Sequence, residues 1–239
     1  MKSAGALKCR EMLARNHLLA EKICSADFCF KSFELLQIWQ RQRLAGSFSD
    51  LMEQESYRPA CDFFLSELYG GLDFLKRDQD MNRVIPVMER VLPNKALKSL
   101  AEAFELQAIS LEFDMEMAQI MESDNVLELD VPAYGSVYRA CGNRPKREKQ
   151  ILLIRQLGID LARLVDKPLV IHLVRLARGP AHATGFGALQ DFLETGLFSF
   201  RKLEDSAFFI DTIYQREWLT MQKLFAADQN PFHLNVQLK

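Results

Sequence analysis

Between Pro93 and Ser123 the chain places apolar side chains in two interleaved series, three and four residues apart, and no other pattern in it restricts the fold as much. Leu97, Leu100, Phe104, Leu111, Met115 and Ala118 form one stripe; Leu106, Ile109, Phe113, Met117 and Ile120 form a second. A helix returns to the same face about every 3.6 residues, so two stripes on one helix demand contacts on two sides. The spacing predicts a long central helix, capped by Asn94 and running to about residue 122, with other helices packed around it at ridge-and-groove angles. Its remaining face carries Lys98, Glu102, Glu105, Glu112 and Glu116, which reads as a solvated charge ladder.

The same three-and-four spacing recurs almost everywhere, while strand-like alternation and Asn-Gly hairpin signals are missing. The fold class expected is all-α: a single bundle-like domain of about nine helices spanning residues 1–239, with a two-lobed division near 123–132. Glycine and proline punctuate the elements at Gly46, Pro59, Gly70-Gly71, Pro93, Pro132, Gly142, Pro145, Pro168 and Gly179-Pro180. Helices are expected near 4–23, 26–45, 49–56, 59–69, from Asp73 or Asp78 to 92 with a kink at Pro86, then 132–141, 145–165, 168–177, 187–203 and 205–225. The tail from Asn230 reads as extended.

Charge and cysteine usage remove several function classes. Thirty basic against thirty-two acidic side chains leave a net charge of −2, so no overall field favours nucleic acid or an anionic membrane. The basic run RACGNRPKREK, Arg139 to Lys149, lacks interleaved aromatic residues and reads as a solvated turn and helix start. Five widely spaced cysteines support neither a zinc site nor a disulfide framework and suit a cytoplasmic protein. The charged N-terminal residues do not resemble a signal peptide, and no apolar run reaches the roughly 20 residues that span a bilayer. Four scattered histidines without a Glu-x-x-His pair argue against a metal site.

Three stretches are candidate sites. In FFLSELYGGLDFLKRDQD, Phe63 to Asp80, an apolar helix meets a glycine stop and then a charge cluster, so Asp73, Arg77, Asp78 and Arg83 can converge at a helix corner. Extended to FFLSELYGGLDFLKRDQDMNRVIPVMERVLP, and joined by GPAHATGFGALQDFLETGLFSF and TIYQREWLTMQKLF, this text resembles a family of uncharacterised bacterial helical proteins sharing FFL, LYG, DF and RD elements. Phe63, Phe64, Leu68, Tyr69, Gly70, Asp73, Phe74, Arg77 and Asp78 carry the resemblance, which implies a helical fold and no particular activity.

In the second stretch, RLARGPAHATGFGALQDFL, small residues separate two apolar helices, and Arg175, Arg178 and His182 can favour an anion beside a helix start. In the third, His17 and Glu21 of HLLAE resemble the proximal helix of haem oxygenases, which implies haem as cofactor with His17 as its ligand. The sequence is read as a non-enzymatic binding or regulatory module. It would engage a protein partner or small anionic ligand through Asp73, Arg77, Asp78, Arg83, Arg175 and Arg178, without a metal or other cofactor. A haem-oxygenase-like enzyme is the competing class, and the seventeen phenylalanines leave aromatic surface for a homodimer.

Overall fold

The computed structural model describes residues 4–67, 94–183 and 187–233. Within them the chain forms ten α-helices and no strand: α1 (Ala4–Ile23), α2 (Phe30–Ser47), α3 (Ser49–Met52), α4 (Arg58–Glu67), α5 (Asn94–Ser123), α6 (Val131–Cys141), α7 (Arg144–Val165), α8 (Pro168–Ala183), α9 (Gly187–Arg201) and α10 (Ser206–Phe225). None of these helices is long and apolar enough to cross a membrane.

The 30-residue α5 is the central helix expected, and each of its stripes has a partner. The first packs on α1, where Ala6, Cys9, Met12 and Leu13 meet Leu97, Ala101 and Phe104, while Leu19 and Ile23 meet Leu111, Met115 and Ala118. The two backbones approach closely: a Cβ on Gly5 would stand 2.8 Å from Leu97 Cβ. Asn94, the first residue of α5, reaches across to α1. Its Oδ1 accepts from the amide of Gly5 at 2.9 Å and so satisfies an N-terminal donor of α1.

The second stripe, Ile109, Phe113 and Met117, faces Leu36 of α2, Tyr134, Val137 and Tyr138 of α6, Ile151 of α7 and Met221 and Leu224 of α10. Segments on both sides of residues 123–132 therefore share one core. A further cluster joins Leu44, Leu51, Ala60, Cys61, Phe200, Phe209 and Ile210 from α2, α3, α4, α9 and α10.

Local chemistry sets the element ends. Asp130 caps α6 by accepting from Ala133 N at 2.8 Å, and Asp205 caps α10 through Phe208 N at 2.9 Å. Gly142 (φ 65°) and Asn143 (φ 53°) turn the chain sharply between α6 and α7. Only glycine or a small amide adopts that left-handed conformation cheaply.

Three expectations need correction. Residues 26–29 are turns, tied by Phe28 N to Ser25 O and Phe30 N to Phe28 O, so α2 starts at Phe30. The short helix at 49 ends at Met52. Helix α8 runs through Pro180 to Ala183 instead of stopping near 177. An internal proline costs a helix about 3 kcal/mol. Here the turns around it are fastened to α9, by Arg178 to both oxygens of Glu194 (2.9 and 2.6 Å) and by His182 Nε2 to Asp191 Oδ1 (3.1 Å).

Candidate binding site

Five helices turn polar side chains toward one buried point. On α2, Gln40 and Arg43 stand one turn apart; on α5, Ser110 and Asp114; on α6, Tyr134 and Tyr138; on α7, Arg147, Gln150, Ile151 and Ile154; on α10, Glu217, Thr220, Met221 and Leu224. The three- and four-residue steps bring each set onto one helix face. Together they line a chamber of about 40 Å³, and a water needs only about 10–15 Å³ by the same measure.

Arg147 dominates its chemistry. The sharp turn at Gly142 and Asn143 starts α7, and the phase Arg147–Ile151–Ile154 brings the arginine inward with the isoleucines. Its residue is only 6% exposed. The guanidinium carbon lies 3.5 Å from the Phe113 ring centre and 4.4 Å from that of Tyr138, a cation held between two π faces. Nη2 donates to Met117 Sδ at 3.1 Å and Nη1 to Gln150 Oε1 at 3.4 Å, both weak bonds for a full positive charge. Nε has no hydrogen-bond partner among the described residues, and neither has Thr220 Oγ1, which is 2% exposed and lines the same chamber.

The acid facing this cation is Asp114. Gln40 Nε2 donates to its Oδ1 at 3.1 Å and Gln37 Nε2 to its Oδ2 at 3.5 Å. Burial pushes its carboxyl up to about 6; the Gln40 bond, the Arg147 charge and the Gln37 bond pull it part of the way back. Burial likewise raises the phenols of Tyr134 and Tyr138, so both stay protonated. The second acid, Glu217, is neutralised by Arg43 at 2.5 Å. A buried guanidinium with spare donor capacity, two phenols, a hydroxyl and amides form a donor-rich lining suited to an oxyanion.

Next to this chamber is a second, of about 50 Å³, lined by Leu44, Phe48, Cys61, Phe64, Leu65, Phe209 and Ile213; Ile154 and Glu217 belong to both. A larger groove of about 290 Å³ lies on the outer side of α7, between Glu102 and Ile159. Both cations in its lining have partners, Lys149 on Glu105 and Arg155 on Asp211.

Of the residues singled out in the sequence, Arg175, Arg178 and His17 do not line this chamber. Asp73, Arg77, Asp78 and Arg83 lie outside the described residues, as do Gly70-Gly71 and Pro86. Arg178 is clamped to Glu194, and Arg175 lies 4.8 Å over the Phe198 ring, so both arginines are engaged by α9. On α8 the stripe Leu169, Leu173 and Leu176 is exposed. His17 is on the outer face of α1, its side chain 56% exposed and its Nε2 3.4 Å from Glu21 Oε1. Among the described residues no group of three or more His, Cys, Asp or Glu side chains could hold a metal ion.

The charge ladder of α5 is also not simply solvated. Glu112 bonds Arg15 of α1 and Lys146 of α7, and although burial raises its carboxyl, these bonds outweigh it and hold the group below its usual range. Arg147 is the residue that sequence reading missed, because it stands inside the basic run Arg139 to Lys149. Its helical phase with Ile151, Ile154 and Gly158 was the available signal.

A family model described as a domain of unknown function (DUF8198) matches residues 26–231. No curated protein and no solved structure matches the chain.

Proposed function

We propose that the chain, which belongs to the DUF8198 family, is a non-enzymatic binding protein that takes a small anion into the buried chamber between α2, α5, α6, α7 and α10. The sequence resemblance to an uncharacterised helical family agrees with that membership, and it leaves the choice of function to the site itself. One observation supports the reading above others: Arg147 is buried, makes no ion pair within 4.0 Å among the described residues, and has an unpartnered Nε, while Thr220, whose Oγ1 is also unpartnered, lines the same chamber. A buried charge without a close counter-charge is costly, and an entering anion removes that cost. The lining holds donors in position before the guest arrives, as recognition sites do. All five cysteines are free, which suits work in a reducing cytoplasm.

Thermal unfolding in sodium acetate, with sodium chloride at equal ionic strength as control, tests this. Acetate is expected to raise Tm with concentration, because a ligand that binds only the folded state stabilises it by mass action. The rise should vanish in Arg147→Met and shrink in Thr220→Val, neither of which removes core volume to speak of. An identical acetate effect in the wild type and both variants would be general salting behaviour and would sink the proposal.

A further inference from the structure

The polar chamber borders the apolar one. Ile154 and Glu217 line it and also line the apolar chamber bounded by Phe48, Phe64, Leu65 and Phe209, so the two volumes share a wall. Glu217 at this boundary is bonded to Arg43, and both side chains are nearly buried, so its charge is compensated locally. Cys61 in the apolar chamber carries a thiol that burial pushes up to about 12, so no thiolate stands there either. A guest spanning the wall meets donors at one end and hydrocarbon at the other.

We propose that the guest is a short-chain monocarboxylic acid, its carboxylate at Arg147 and Thr220 and its hydrocarbon tail laid past Ile154 toward Phe48, Phe64 and Phe209. This rests on the anion-binding reading of the chamber and specifies its ligand. A sugar or free polyol would leave hydroxyls unpaired in the apolar chamber. An amine would bring a second cation against Arg147. A dianion such as phosphate would add two negative charges beside Asp114. A monoanion adds one, which a proton taken up by Asp114 offsets. The groups facing that carboxyl are Gln37 and Gln40 of α2, Arg147 of α7 and Tyr134 of α6; the charged pair Arg43 of α2 and Glu217 of α10 lines the same chamber. Of the two acids lining the chamber, Glu217 is paired with Arg43, whereas Asp114 makes no ion pair within 4.0 Å among the described residues.

Isothermal titration of the full chain with acetate, butyrate, hexanoate and 1-hexanol provides the test. Affinity is expected to rise about fourfold for each methylene that enters the apolar chamber, and hexanol is expected to bind far more weakly than hexanoate. Ile213→Phe fills the apolar chamber and should flatten the series while leaving acetate unchanged; Leu65→Phe serves the same purpose from α4 if the first variant does not fold. If acetate binds through Arg147 but longer acids bind no tighter, the tail assignment is wrong and the anion site stands. If the series climbs equally in the filled variants, the tail lies elsewhere and the proposal is overturned. If no carboxylate binds at all, the anion site and this inference fall together.

Discussion

Replacing Asp114 by asparagine should make the protein more stable at neutral pH, although it removes a charge that faces a buried arginine. Burial raises the Asp114 carboxyl from 3.8 to about 6. A shift of roughly two pH units at about 1.4 kcal/mol each places the ionised form about 3 kcal/mol above what it would be in the unfolded chain. The folded state holds this proton more tightly than the unfolded one. Stability from the group is therefore greatest below about pH 4, declines as pH rises toward 6, and is flat above that. Asparagine keeps the shape and an acceptor for Gln40 but carries no charge. Allowing about 1 kcal/mol at every pH for weaker bonds from Gln40 and Gln37, the variant should gain about 2 kcal/mol at pH 7.5 and lose up to about 1 kcal/mol at pH 4.

Urea denaturation followed by circular dichroism in half-unit steps from pH 4 to 8 measures it. The wild-type curve alone mixes opposing groups. Hydrogen bonding to Arg216 holds Asp50 low, and bonds from Lys146 and Arg15 hold Glu112 low; both lose their stabilisation as pH falls. The difference between wild type and variant isolates Asp114. A difference that stays constant across this range, or a variant that is weaker at pH 7.5 than at pH 4 relative to wild type, refutes the reasoning.

Four further outcomes are expected. Gly196→Ala should cost about 1–3 kcal/mol by overpacking, because the added Cβ would stand 2.7 Å from Cζ of the Phe63 ring. Gly46→Ala, which meets nothing within 4 Å, should gain about 0.5–1 kcal/mol in helix propensity; chemical denaturation reads both. With a thiol reagent at pH 8, Cys24, which is exposed, should react first, while Cys9, Cys61 and Cys141, pushed up by burial to about 11, about 12 and about 11, react only as fast as the fold opens; peptide mass spectrometry assigns the order. Titration with haem is expected to give no absorption band that His17→Ala abolishes, since the imidazole lies at the solvent face of α1 beside Glu21.

The helical class and the central helix were legible because periodicity is a property of the local chain: two stripes on α5 name two contact faces before any partner is known. What escaped was the identity of polar residues inside. Asp114 follows Phe113, a residue of one stripe, and precedes Met115, a residue of the other, so the periodic pattern passes over it. Arg147 stands among Arg144, Lys146, Glu148 and Lys149, a context that composition assigns to solvent. Its spacing to Ile151 was plain in the sequence, but only the assembled bundle shows that this face of α7 is the one turned inward. For Arg178 it was the partner that local sequence did not show. The carboxylate that pairs with it, Glu194, comes sixteen residues later on the next helix. The helix that continues past Pro180 was hidden for the same reason, since the ties that secure it belong to α9.

Trp39, one of only two tryptophans in the chain, stacks on Tyr134 with ring centres 4.2 Å apart, and Phe232 meets both rings. Tyr134 is itself part of the chamber lining. The protein thus contains its own fluorophore a single ring away from the place where a guest would settle. Emission from Trp39 should register the arrival of an anion or a change in local polarity in real time, without a dye or tag. The second indole, Trp218, lies beside Tyr214 on α10 and offers an internal comparison whose signal Trp218→Phe can subtract.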